Sequence, residues 1–278
     1  SIGTLAQREG VNRHQDGNVG LWVRGFNSSG DLDVDNSYDT RASIAMDVDG
    51  SEVGIDFALG DNAKVGLFAG TSNGDFDLNH GSGAGQIDGD MIGAFVQLRT
   101  GGLLVDFSYR EMDVDGDVRS GVVSQEVKGD ISGYNLELAY TFQLDSGLRI
   151  EPQLQSTSGK ISLDNLADVA TTYGYFTQVD ADSHNTRFGV MLSRDYVDGD
   201  NAWTPHLALS TIDQADGSND YEINGLAGTA DTSGNSLLLE TGISGKVGNA
   251  VFFGGVNYLD GGVNDAQVAG QLGIKYRF

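Results

Sequence analysis

The sequence predicts an all-β chain closed into a twelve-stranded antiparallel transmembrane barrel. Three observations predict it. Apolar and polar residues alternate with a period of two in segment after segment, the spacing at which a pleated strand sends neighbours to opposite faces. The connections between those segments alternate short and long, as they must when every second turn lies on the same side of a bilayer. Finally, the faces opposite the apolar ones carry full charges, which a dry core would not hold. The closing stretch QLGIKYRF shows the pattern in miniature, with Leu272, Ile274, Tyr276 and Phe278 on one face and Gln271, Gly273, Lys275 and Arg277 on the other.

Taken in order, the predicted strands are 18–28, 48–59, 62–73, 87–99, 102–112, 131–144, 147–158, 184–197, 201–212, 235–247, 249–259 and 266–278. In the second, Val53, Ile55, Phe57 and Leu59 oppose Gly54, Asp56 and Ala58. In the sixth, Tyr134, Leu136, Leu138, Tyr140 and Phe142 oppose Asn135, Glu137, Ala139 and Thr141. The seventh sets Leu148, Ile150, Pro152 and Leu154 against Arg149, Glu151, Gln153 and Gln155, and the eighth sets Phe188, Val190 and Leu192 against Arg187, Gly189, Met191 and Ser193. Five connections are turn-like: GDN at 60–62, TGG at 100–102, DSG at 145–147, DGDN at 198–201 and GN at 248–249. Asp, Asn and Gly supply the positive φ that tight hairpins need. The longer connections between them are rich in Asp, Gly, Ser and Asn and read as loops. Strands of about 9–11 tilted residues span a bilayer, and a closed barrel satisfies every backbone hydrogen bond in lipid. Lipid then takes the apolar face. Trp203, Tyr258, Tyr276 and Phe278, near strand ends, fit an interfacial aromatic girdle.

Composition narrows the function. The formal charge is −24 and the pI near 4.1, which argues against a nucleic-acid partner, since phosphate contacts need a basic face. There is no cysteine, so no disulfide or thiolate–metal framework exists. No apolar run of about 18 residues marks a transmembrane helix. An export signal is expected upstream of Ser1, because none opens the chain.

A wet lumen would collect Arg24, Asp56, Asp106, Arg110, Glu137, Arg149, Glu151, Arg187, Glu240 and Lys275. Residues 1–17 divide from the barrel at 18–278. They hold helix formers at Leu5–Glu9, weakened by Gly3 and Gly10. As a helix, about 14 residues reach roughly 21 Å, most of the way through a ~30 Å hydrocarbon layer. The bases Arg8 and Arg13 would then meet lumenal carboxylates; the other reading of this segment is a frayed end.

The chain resembles the C-terminal translocator domain of classical autotransporters, the monomeric type V secretion proteins of Gram-negative bacteria. The likeness is carried by TLAQREG ahead of GLWVRGF (Trp22, Arg24), EVGIDFAL with AKVGLFAG, GLRIEPQLQ, TRFGVMLS and the ending AGQLGIKYRF. The resemblance implies a monomeric barrel, integral to the outer membrane among lipid and lipopolysaccharide, that carries a covalently linked N-terminal passenger across. It implies a linker remnant in the pore. It also implies that the terminal strand, through Leu272, Ile274, Tyr276 and Phe278, is read by the barrel-assembly machinery.

Neither an enzyme nor a cofactor is expected. Passenger self-cleavage in this family uses an Asn–Asn junction, whereas Asn12 and Asn18 are isolated. A barrel hydrolase with a rim pair at His80 and His184 is a rival reading, without a Gly-x-Ser-x-Gly elbow to support it. A passive outer-membrane porin is the other rival. The runs Asp31, Asp33, Asp35 and Asp113, Asp115, Asp117 suggest calcium loops, but they lack the position-6 glycine and position-12 glutamate and read as solvated acidic loops; no metal is assigned.

Overall fold

The computed structural model describes residues 18–36, 41–78, 83–120, 123–163, 176–216, 218–223 and 226–278. Twelve long strands follow one another: β1 (Val19–Asn36), β2 (Arg41–Leu59), β3 (Ala63–Leu78), β4 (Gly83–Thr100), β5 (Leu103–Ser120), β6 (Val123–Tyr140), β7 (Leu148–Leu163), β8 (Phe176–Arg194), β9 (Asn201–Asp216), β10 (Gly234–Val247), β11 (Ala250–Gly261) and β12 (Asn264–Arg277). Short stubs at Phe142–Gln143 and Tyr196–Asp198 prolong β6 and β8 at the end where the tight turns lie. Each strand pairs antiparallel with the next, and β12 returns to β1 in register from Gly20↔Arg277 to Leu32↔Asn264. The seam is sealed at its base by Asn18 N–H to Phe278 C=O (3.0 Å) and Phe278 N–H to Val19 C=O (2.9 Å). No strand edge is left open around this ring, which is how a sheet persists in hydrocarbon.

All five predicted tight turns form, and each contains one glycine at positive φ: Gly60, Gly101, Gly147, Gly199 and Gly248. At the opposite end the strands run much further than predicted. β5 continues eight residues beyond 112 and β2 begins seven residues before 48. The acidic runs predicted as loops are therefore mostly paired wall: Asp31, Asp33 and Asp35 lie on β1 and Asp113, Asp115 and Asp117 on β5. A second difference is a hairpin inside the predicted loop between β9 and β10, Ser218–Ile223 paired with Leu226–Asp231. One arm pairs with β8 (Asp220↔Asp180) and the other with β1 (Asp35↔Asp231). Above the shorter strands β9–β12, these two arms stand in their place, so a twelve-stranded ring narrows to ten strands at its long-loop end.

The two faces sort as the alternation requires. Leu67, Ile92, Leu98, Phe188, Leu209 and Leu272 point out and are exposed, whereas Glu52, Asp56, Asp106, Asn135, Glu137 and Lys275 point in and are almost wholly buried. The protein is thus turned inside out relative to a soluble domain. Aromatic pairs gather on the outer surface near the tight-turn end: the rings of Tyr140 and Phe142 lie 4.7 Å apart and those of Tyr276 and Phe278 lie 4.9 Å apart.

Candidate functional site

The lumen is lined by every second residue of twelve strands, so its chemistry is set by the inward register. Arg24 on β1 and Glu52 on β2 are cross-strand partners, joined by Nε–H to Oε2 at 2.7 Å. Arg110 of β5 approaches the other oxygen of Glu52 at 3.6 Å. Asp56, two positions along β2, holds Lys275 at 2.7 Å and Arg277 at 2.8 Å, both from β12. β1 lies between them and contributes only Gly20 at that level; a Cβ there would stand 2.7 Å from both the Asp56 carboxylate and Lys275 Cε.

On the other side of the barrel Arg187 is a hub. Its Nε donates to Gln155 Oε1 (2.8 Å), Nη1 to Glu240 Oε2 (2.9 Å) and Ser210 Oγ (3.2 Å), and Nη2 to Gln153 Oε1 (3.1 Å). Glu137 stands 4.0 Å away. The planar guanidinium fork suits this role, since it reaches several acceptors at once where an ammonium offers a point charge. Nearer the turns, Arg149 bridges Ser193 and Asp195, Thr204 donates to Asp195, and Thr141 donates to Glu151. Asp106 on β5 opposes Glu137 on β6 and accepts a bond from Gln97 on β4.

These networks leave the lumen close to electrically neutral. Arg24, Lys64, Arg110, Arg149, Arg187, Lys275 and Arg277 face Glu52, Asp56, Asp106, Glu137, Glu151, Asp195 and Glu240, seven of each. Arg99 and Lys246 add two half-buried bases on the inward parity near the tight turns. The large negative charge lies elsewhere, on the outward face beyond the membrane band. There Asp47 opposes Asp75, and a row runs Asp90, Asp113, Asp130 across three strands.

The lumen is not uniformly polar. Trp22, Phe68 and Phe95 form a buried cluster against β1–β4, each ring lying flat over a glycine of a neighbouring strand: Gly54, Gly93 and Gly66. Arg110 and Lys64 stand over Phe68 and Phe95 at 5.8 and 5.9 Å, in reach of cation–π attraction.

All ten residues expected in the lumen face it. The structure brings together Asp56 with Lys275, and Arg187 with Glu240 and Glu137. It does not pair Arg24, Arg149 or Glu151 with one another. Their partners Glu52, Asp195 and Thr141 escaped the sequence reading, as did Gln97, Asn135, Gln153 and Gln155 as hydrogen-bonding members. Glu52 was signalled by its period-two spacing from Asp56. Leu272, Ile274, Tyr276 and Phe278 all point outward. Arg8, Arg13 and His80 lie outside the described residues. His184 lies on β8, its backbone opposite Ser158 and Asp216.

The family model of the autotransporter beta-domain matches residues 21–258. No curated protein matches the chain by sequence. Among solved structures, the β-domain of the Bordetella autotransporter BrkA aligns with a TM-score of 0.77 at 18% identity, covering 94% of this chain and 100% of that one. The transport unit of AIDA-I from Escherichia coli aligns at 0.73 and 17%, covering 96% and 92% respectively. The translocator domain of NalP from Neisseria meningitidis aligns at 0.75 and 12%, covering 94% and 89%. At such identities these likenesses establish a shared barrel.

Proposed function

The chain belongs to the autotransporter β-domain family: it is an integral outer-membrane translocator of a linked passenger, and we propose that the passenger crosses through the charged lumen and leaves residues 1–17 there as its linker. On this reading the tight turns face the periplasm and the long strand ends face the cell exterior. The observation that carries the proposal is the mutual pairing of the lumenal charges. A wall whose bases and acids neutralise one another presents little net field, so it hydrates a passing chain without trapping acidic or basic segments. Arg8 and Arg13 of the linker meet the lumenal carboxylates, among them Asp106, Glu137 and Glu240.

The terminal strand, with Leu272, Ile274, Tyr276 and Phe278 on its lipid face, is the segment read by the barrel-assembly machinery. The outward apolar surface contacts lipid and lipopolysaccharide, and the barrel works as a monomer. No catalytic role is assigned to its residues, and residues 1–17 hold no Asn–Asn junction.

A reporter passenger fused ahead of Ser1 tests the central claim. It becomes accessible to protease added to intact cells, and deleting residues 1–17 from the purified barrel raises its conductance in planar bilayers sharply. A large conductance indifferent to that deletion, with no reporter at the surface, identifies a passive channel instead.

A further inference from the structure

The alternation that defines the membrane band reverses above it. Beyond Met91 on β4 and Met112 on β5, the acids move to the outer face and the apolar residues turn inward. On β5 the outward positions are Asp113, Asp115 and Asp117, while Met112, Val114 and Val118 face the interior. Val114 and Val127 are buried there, and Val48, Phe76, Ile87 and Met112 are half-buried. An aqueous vestibule has no use for such a lining unless something apolar covers it.

This lining is continuous with the pore. Inward positions on β4 read Phe95, Gly93, Met91, Gly89, Ile87 and Gly85, an apolar side chain at every fourth residue from the lumenal cluster to the mouth. Neighbouring strands fit into the gaps: Phe68 lies over Gly93, Met112 over Gly89 and Phe76 over Gly85. The result is a smooth apolar strip along β3–β5. Along the ladder from Met112 the inward apolar row continues through Ile131 on β6 to Ile161 on β7, and the polar inward positions Thr157 on β7 and Asn185 on β8 lie four residues nearer the tight turns. Two of the chain's four methionines, Met91 and Met112, lie on the strip, and a third, Met46 on β2, is the cross-strand partner of Phe76; methionine adapts its shape to varied partners.

We propose that this strip is a guide for the passenger: it binds apolar side chains of the extended polypeptide as that chain leaves the lumen. The occupant follows from the strip's course, since it begins inside the pore and ends at the exit, where a chain under transport is the apolar ligand at hand. The acidic outer face keeps lipid A and acyl chains on the far side of the wall. The inference rests on the translocator reading.

The test uses a reporter passenger that carries a disulfide-closed loop, fused ahead of Ser1 so that it stalls in transit in cells. A photo-crosslinking amino acid is placed in turn at Ile87 and Met112 on the strip, at their outward neighbours Asp88 and Asp113, and at the polar inward positions Thr157 and Asn185. Crosslinks to the stalled passenger are expected from Ile87 and Met112, and not from Asp88 or Asp113, with Thr157 and Asn185 much weaker. Equal yields from the strip and from the polar inward positions, or adducts from the strip to lipid or to a second copy of the barrel, overturn the proposal. In a second arm, the double variant Ile87→Thr, Met112→Thr slows surface appearance of an unstalled reporter several-fold while the barrel's heat-modifiable migration is kept. Unchanged export also overturns it. If the unstalled reporter fails to surface from the wild-type barrel, the translocator reading itself is what has failed.

Discussion

Asp56 Oδ2 and Lys275 Nζ lie 2.7 Å apart, both side chains fully buried, across a strand that contributes only a glycine between them. β2 thereby grips β12 over the top of β1, so side chains of the second and last strands reinforce the seam that the β1–β12 ladder closes. Removing one partner of a buried pair leaves an uncompensated charge and costs about 3–5 kcal/mol. Asp56→Ala removes the carboxylate that Lys275 and Arg277 share, whereas Lys275→Met still leaves Asp56 with Arg277 at 2.8 Å. The midpoint of denaturant unfolding in micelles is therefore expected to fall more for Asp56→Ala than for Lys275→Met.

Gly20 makes the same point sterically. A side chain at this position collides with the ion pair at 2.7 Å, so Gly20→Val is expected to open the seam although valine favours strands. The fraction of protein migrating as the compact form on unheated gels reports this. A compact fraction equal to that of wild type would show that the grip is dispensable.

Arg187 is held by four acceptors through three nitrogens. Hydrogen bonds to charged groups contribute about 1.5–3 kcal/mol each, and lysine cannot reproduce the fork. Arg187→Lys is expected to destabilise by about that amount for at least one lost bond, and Glu240→Gln by less, because Gln155, Gln153 and Ser210 still hold the guanidinium. Chemical denaturation of the two variants side by side gives the order; a reversed order would refute the hub.

Outside the barrel, Asp90, Asp113 and Asp130 face one another directly across three strands, and Asp47 faces Asp75. Like charges in directly opposed positions weaken a sheet by the order of 0.2–1 kcal/mol per pair. Salt screens them, with a Debye length of about 10 Å at 0.1 M. The unfolding temperature is expected to rise with sodium chloride. Asp113→Asn, which relieves two contacts at once, is expected to raise it at low salt and to flatten its salt dependence. A temperature that falls with salt would mean that attraction, not repulsion, dominates this wall.

Those same aspartates explain where the sequence was legible and where it misled. Inside the membrane band, lipid imposes an apolar outer face, and parity alone puts the ten charges expected inside on the inward face, though Glu52, Lys64 and Asp195, not among those ten, share it. Tight turns were equally plain, because positive φ leaves few residue choices beyond glycine. Beyond the band the alternation persists, as in AMDVDG, FDL and MDVDGDV, but its polarity is reversed. Aspartate is usually a turn residue, so these stretches read as loops when they are paired strands. The hairpin at Ser218–Asp231 was missed for a related reason: its arms are short, and their support comes from β8 and β1, far away in sequence. Partners such as Glu52 and Asp195 belong to the same class, since a cross-strand pair depends on a register that one strand's sequence does not state.

At the C-terminus two contributions of Phe278 can be separated. Its backbone N–H and C=O close the seam against Val19 and Asn18, while its ring packs against Tyr276 on the lipid side. Phe278→Ser keeps the hydrogen bonds and removes the ring. Deleting Phe278 removes both. If the ring serves recognition during assembly, Phe278→Ser lowers the amount of barrel inserted in cells yet refolds into detergent with nearly the wild-type midpoint. The deletion, lacking two seam bonds worth roughly 1 kcal/mol each, is expected to lose midpoint as well. Equal damage in detergent from both variants would assign the ring to stability and leave recognition of the terminal strand to Leu272, Ile274 and Tyr276.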